Sequence, residues 1–93
     1  MERYIIRGSR SGVFFGEISE RNGQEVKISN CRRLWYWDGA ASLSQLAMEG
    51  VKHPLNCKFT VTVEELVVLD AIELIPCTES ACKSIDEVPA WRM

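Results

Sequence analysis

The letters RNGQ, residues 21–24, most constrain how this chain can fold, because they join two stretches that read as β-strands. An Asn-Gly pair between two such stretches is the strongest short-range signal of a β-hairpin. The flanking residues 12–20 and 24–31 are therefore predicted to pair as antiparallel strands. A three-residue loop with a bulged glycine places Ile18 opposite Val26, and we expect that register.

The rest of the chain reads as further short elements. A first strand covers residues 3–8, and the second hairpin strand can continue to Trp37. After a Pro-containing loop, residues 57–63 and 65–76 predict one strand and then a strand or two. This order predicts an α+β fold, a small antiparallel sheet of about five strands with one main helix over about residues 39–49 and a short C-terminal helix that starts at Thr78.

The main helix is placed by its expected end signals. Asp38 is a natural N-cap and Gly50 a natural C-terminal stop. Between them Leu43, Leu46 and Ala47 recur at helical spacing and give a narrow apolar stripe. The helix is therefore expected to pack one face on the sheet.

At 93 residues the chain is expected to form one domain, residues 1–93, with a modest core. A chain this small gains stability by burying a face against a copy of itself, so we expect a homo-oligomer. No apolar run approaches the ~20 residues that span a bilayer, so no membrane partner is expected. The net charge of −2 argues against bulk nucleic-acid binding.

No catalytic motif stands out, and we expect that the protein is not an enzyme. The N-terminal residues lack the apolar stretch of a signal peptide, which predicts a cytoplasmic protein whose four cysteines stay reduced. The cysteine spacings do not match a zinc knuckle. His53 is the only histidine that could act as a general base, and the sequence has no nucleophile motif to pair with it. Neither a metal nor a cofactor is expected.

The most unusual segment is RRLWYWDGAASLSQLA, residues 32–47. In a strand, its first residues alternate between two faces, and each face combines one arginine with aromatic rings. One face can be core, either that of Leu34 and Tyr36 or that of the tryptophan pair. The other face then exposes rings beside a guanidinium, and Trp91 is either a further ring or an anchor of the chain end.

A surface of this composition suits a nucleotide-type ligand, because rings stack on bases and arginine pairs with phosphate oxygens. Small residues and hydroxyls at the helix start would let an anion approach, unless Asp38 caps the same amides; the anion would then lie near the arginines. The candidate ligand-binding residues are Arg7, Arg10, Arg32, Arg33, Trp35, Tyr36, Trp37, Ser42 and Ser44. The same rings could instead be core or subunit interface.

Together with NCKF, AIELIPCTE and the terminal SIDEVPAW, this segment resembles a group of small uncharacterised proteins encoded by tailed bacteriophages and prophages. The resemblance implies a protein that acts in the cytoplasm of an infected bacterium, where small phage proteins often counter host defence. Joined to the surface chemistry, it leads us to expect a non-enzymatic protein that sequesters a cyclic oligonucleotide immune signal. The alternatives are a module that binds and inhibits a host protein and a structural phage component.

Overall fold

A computed structural model describes residues 2–93 of the chain and confirms the predicted α+β class. One antiparallel sheet is combined with a helix in the middle of the chain and a short helix near its C-terminal end. The elements are β1 (Tyr4–Gly8), β2 (Val13–Asn22), β3 (Glu25–Tyr36), α1 (Leu43–Glu49), a 3-10 turn (Pro54–Asn56), β4 (Lys58–Phe59), β5 (Val63–Val68), β6 (Ala71–Pro76) and α2 (Glu79–Asp86).

Strand β3 is the centre of the sheet. One of its edges pairs with β2, and its other edge is shared by β5 near its start and by β4 near its end. On the far side of β2 the order continues through β1 to β6. All these pairings are antiparallel, as the hairpin signal requires.

The sheet is bent, because only residues 69 and 70 separate β5, which pairs with β3, from β6, which pairs with β1. The β2–β3 ladder has a bulge where the two strands pass Gly16 and Asn30. Asn30 has a positive φ of 51° and lies in a bulge, and a Cβ on Gly16 would come within 2.6 Å of the Ile28 side chain. The bend brings the tip of the β2–β3 hairpin against β6, although β1 separates β2 from β6 in the sheet. There the Ala71 amide donates to the Gln24 carbonyl at 3.0 Å. The sheet therefore encloses space on its concave side.

Two hydrophobic cores lie on opposite faces of this sheet. The first core lies under the helices and includes Phe15, Leu34, Leu46, Phe59 and Ile85. The second core lies inside the bend and includes Ile6, Phe14, Val26, Ile28 and Val68. Because side chains alternate along a strand, the neighbouring residues of β1 and β2 contribute to different cores.

The predicted hairpin register is wrong. The loop is the two-residue pair Gly23-Gln24, which sets Arg21 rather than Ile18 opposite Val26. Of the two loop residues only Gly23 has a positive φ, 63°, as the first central position of a type II′ turn requires. A bulge near Ser19 then restores apolar pairing, so that Ile18 lies opposite Ile28. The register is thus set by a bulge in the strand and not by one in the loop.

The start of the main helix is also corrected. Gly39 has a φ of 98°, which is incompatible with a helix at this position, and α1 begins only at Leu43. Its N-cap is Ser42, whose hydroxyl accepts the Gln45 amide at 3.1 Å. The Gln45 side chain in turn accepts the Ala41 amide at 2.8 Å. The predicted end is confirmed, because the Gly50 amide closes the helix on Leu46.

Candidate functional site

The end of β3 answers which face of the aromatic segment is core. Leu34 is buried in the first core, whereas Trp35 and Tyr36 are 65% and 52% exposed. A register shift between Leu34 and Tyr36 inserts one extra residue against β4. The bulge breaks strict alternation, so Trp37 packs against the first core instead of sharing the outer side with Trp35.

Arg32 points inward. It is 6% exposed and donates to three backbone carbonyls, Thr60 at 2.9 Å, Ile85 at 2.8 Å and Phe59 at 3.4 Å. Its guanidinium also lies over the Phe59 ring. These contacts separate Arg32 from the exposed rings, because it lies on the helix-facing side of the sheet.

Arg33 points to the opposite side of the sheet, where its guanidinium lies over the Phe14 ring. Arg10 and Arg33 line an open groove of about 500 Å³, with Phe14, Leu66 and Leu69 among its apolar walls. The Arg33 guanidinium lies 4.8 Å from the centre of the Phe14 ring. Across residues 2–93, neither arginine has an ion-pair partner. The fold thus brings together two predicted cations that are far apart in sequence.

The groove is also lined by a carboxylate, that of Asp70, which accepts hydrogen bonds from the β1–β2 connection. It accepts the Arg10 amide at 2.7 Å, the Ser11 amide at 3.1 Å and the Ser11 hydroxyl. These hydrogen bonds, the hydroxyl's first, lower the pKa of the Asp70 carboxyl. The carboxylate therefore orders the β1–β2 connection and holds Arg10 at the groove.

An exposed aromatic cluster lies on the outer side of the end of β3. The rings of Trp35 and Trp91 are nearly parallel, at 11°, with centres 6.5 Å apart. The Lys58 ammonium lies 5.3 Å from the centre of the Trp91 ring, and Lys58 is paired with Tyr36 across the strands. Trp91 reaches this place because its amide donates to the Phe59 carbonyl.

We call the combination of the Arg10–Arg33 groove and the Trp35–Trp91 cluster the cation–aromatic surface. Leu34, which lies between Arg33 and Trp35 on β3, is buried in the first core, whereas the residues on either side of it are exposed. The sequence located Arg33 and Trp35 directly. It missed Lys58, because no local signal shows that β4 pairs with the end of β3.

The other predicted site residues lie elsewhere. Arg7 is paired with Glu73 at 2.9 Å, and the Ser42 hydroxyl is the cap of α1. Ser44 is exposed on α1. None of these three residues lines the groove.

Asp38 joins two loops and caps no helix. Its carboxylate accepts the Asn56 side-chain amide at 3.0 Å and lies 3.3 Å from Nδ1 of His53. The Asn56 hydrogen bond, followed by that of His53, lowers the pKa of the Asp38 carboxyl. The predicted cap is therefore wrong, because a turn with a positive φ at Gly39 separates Asp38 from the helix.

Two of the four thiols, those of Cys31 and Cys77, are poorly suited to nucleophilic chemistry. Burial raises the pKa of Cys31 to about 11 and that of Cys77 to about 12, so both are protonated at neutral pH. Among the described residues no group of three His, Cys, Asp or Glu side chains could hold a metal ion. In the same part of the chain no helix is long and apolar enough to cross a membrane.

Comparison with known proteins places the chain in a family. The family model described as a domain of unknown function (DUF6948) matches residues 1–85, so the chain belongs to that family. The match includes Arg10, Arg33 and Trp35 but ends before Trp91. No curated protein and no solved structure matches the chain.

Proposed function

We propose that this protein binds a nucleotide-type ligand on its cation–aromatic surface and holds it without cleaving it. The observation that carries the proposal is that two arginines without an ion-pair partner among the described residues, Arg10 and Arg33, line one groove, and that the exposed Trp35 lies two positions from Arg33 on β3. Rings on this surface provide stacking area for a base. The guanidinium groups provide donors for phosphate oxygens.

The energetics favour a compact ligand over a long nucleic acid. Stacking of a base on an aromatic ring contributes about 1–3 kcal/mol. Extended polyanions are bound mainly through many phosphate contacts, and this surface has few cations on a chain with a net charge of −2. A cyclic oligonucleotide, with several bases and phosphates in a small volume, fits this combination of rings and cations.

Binding without catalysis is supported by the chemistry of the exposed groups. Arginine stays protonated and cannot serve as a general base, and an indole ring offers no nucleophile. Asp70, the carboxylate in the groove, already accepts three hydrogen bonds. The setting we propose, the cytoplasm of a bacterium infected by a phage that encodes the protein, rests on the sequence resemblance.

The test is to titrate the purified protein with cyclic di- and trinucleotides and with linear mononucleotides by calorimetry. We expect saturable binding of at least one cyclic compound and its intact release on heat denaturation, read by mass spectrometry. Absence of binding to the whole panel would overturn the proposal, and release of a cleaved ligand would make the protein an enzyme.

Two variants localise the binding. Trp35→Ala is expected to weaken affinity about tenfold or more, since lost stacking of ~1.4 kcal/mol is a factor of ten. Arg33→Gln is expected to weaken it by a similar factor. Met48→Ala and Arg21→Gln are matched controls, because both residues are exposed away from this surface. Equal effects in variants and controls would place the ligand elsewhere.

A second candidate function is supported by the same exposure. Tryptophan, tyrosine and arginine dominate hot spots of protein interfaces, and Trp35, Tyr36 and Trp91 are each about half exposed or more. We propose a host protein as the alternative partner. A stoichiometric partner that is lost in Trp35→Ala, retained in Met48→Ala and isolated without a small molecule would favour this function over nucleotide binding.

A further inference from the structure

Arg32 poses a separate electrostatic problem on the other side of the sheet. It is the one buried charged residue among residues 2–93, and no carboxylate lies within ion-pair distance of it. Burial of a charge is unfavourable unless the charge is paired and hydrogen-bonded. The three carbonyl contacts satisfy hydrogen bonds but provide no negative charge.

The guanidinium has unused donors. Of its five N–H groups, the carbonyls of Thr60, Ile85 and Phe59 accept one each from Nε, Nη1 and Nη2. One N–H on each terminal nitrogen is therefore available. Guanidinium N–H groups bind oxyanions through charge-assisted hydrogen bonds, often two at a time.

Arg32 is also one of the residues that line an open pocket. Besides Arg32, its walls are Val61, Thr62, Asp86, Val88, Ala90 and Arg92, around a volume of about 400 Å³. Arg92 adds a second positive charge. Asp86 is the one carboxylate in the lining, and it is paired with Arg3 at 2.8 Å.

We propose that the Arg32–Arg92 pocket is a binding site for a small oxyanion, such as phosphate or the phosphate group of a monoester. The anion would neutralise the buried guanidinium and accept its two free N–H groups, with Arg92 closing the exposed side. The pocket is distinct from the cation–aromatic surface, because Arg32 and Arg33 point to opposite faces of β3. The Asp86 carboxylate would repel a bound anion. Its ion pair with Arg3 partly neutralises it and reduces that repulsion.

The test uses inorganic phosphate as the probe, with sodium chloride at the same ionic strength as the control. Chloride reproduces general screening but not bidentate contact. We expect phosphate to raise the midpoint of thermal unfolding saturably beyond the effect of chloride, and to shift the Arg32 Nε–H signal in a nitrogen-resolved NMR spectrum. Equal responses to the two salts would overturn the proposal.

Variants of exposed pocket residues keep the test independent of folding. Arg92→Gln is expected to weaken phosphate binding several-fold, whereas Arg21→Gln, on the distant hairpin, is expected to leave it unchanged. Val61→Glu places a carboxylate in the pocket lining and is expected to abolish the phosphate response, which the neutral control Val61→Gln retains. A phosphate response that is the same in Val61→Glu and Val61→Gln would overturn the site. Trp35→Ala is expected to keep the response, which separates this site from the proposed nucleotide function.

Discussion

Adjacent arginines in β3 have opposite structural roles. Arg32 joins the strand to the carbonyls at the end of α2 and beside β4, whereas Arg33 lies over Phe14 at an open groove. Burial lowers the pKa of the Arg32 guanidinium, with Asp86 acting in the opposite direction, yet an arginine keeps its charge at any physiological pH. Arg32 therefore contributes to the stability of the fold, whereas Arg33 presents a positive charge at the surface.

We expect Arg32→Gln to lower the free energy of unfolding by about 3 kcal/mol, because buried carbonyls lose their donors. Arg33→Gln is the matched control and is expected to cost about 1 kcal/mol or less, the value of an exposed cation–π contact. Urea denaturation followed by tryptophan fluorescence measures both changes. Equal losses in the two variants would contradict the assigned roles.

Asp70 should make stability depend on acid pH. Its folded-state pKa is lowered, chiefly by the Ser11 hydroxyl, so the ionised form is favoured in the folded protein. The contribution is fully present above the ordinary carboxyl pKa of ~3.9 and is lost as pH falls through the lower folded value. Asp70→Asn is therefore expected to be less stable than the parent at neutral pH, with a difference that shrinks as pH falls below ~4.

The measurement is thermal unfolding across this pH range. Glu64→Gln is the control, because Glu64 is an exposed β5 carboxylate for which the described residues provide no hydrogen bond. A pH-independent difference between Asp70→Asn and the parent would show that the carboxylate acts by shape and not by charge.

At the scale of elements, helix α1 depends on its cap. Ser42→Ala is expected to lower the free energy of unfolding by about 1 kcal/mol, since the Gln45 amide loses its acceptor. Ser44→Ala is expected to be neutral or slightly stabilising, because Ser44 is exposed inside the helix and alanine has the higher helix propensity. Urea denaturation compares the two, and an equal effect would argue against Ser42 as the cap.

Element types followed from local signals, whereas their exact ends and registers did not. The strands of the hairpin, the stop at Gly50 and the start of α2 after Thr78 were predictable because each depends on residues near it in sequence. The sequence predicts the start of α1 wrongly although Ser42-Leu43-Ser44-Gln45 is a capping-box pattern, because Asp38 is also a residue type that commonly caps helices. The bulges near Ser19 and Trp35 follow from packing across strands, which no local pattern reports.

The candidate site was predictable only in part for the same reason. Trp35 and Arg33 stand out in the sequence as a cluster of rings and cations. The approach of Arg10 to Arg33 and that of Lys58 to Trp91 depend on strand order. Which of the two neighbouring arginines is buried depends on the face of β3 against which the helices pack. The local sequence does not distinguish the two faces, because each has one arginine and at least one aromatic ring.

At the scale of the whole molecule, self-association stays a prediction. The turn between β5 and β6 and the start of β6 expose apolar side chains, with Leu69 at 72% and Ile72 at 47%. A chain of 93 residues also buries only a modest core. We expect a mass in solution of at least two chains of 10.6 kDa each. Light scattering over a range of concentrations measures it, and a monomer mass throughout would exclude the homo-oligomer.

One sheet is the shared wall of both cores, because successive side chains of its strands face opposite sides. Phe14 faces one core and Phe15 the other, and Ile5 and Ile6 divide in the same way across β1. Loss of either core would remove the support of the same strands, so the two cores should not open separately. The most slowly exchanging amides of β1, β2 and β3 should therefore share one free energy of opening in native-state hydrogen exchange, and Gly16→Ala should lower it for all three strands together.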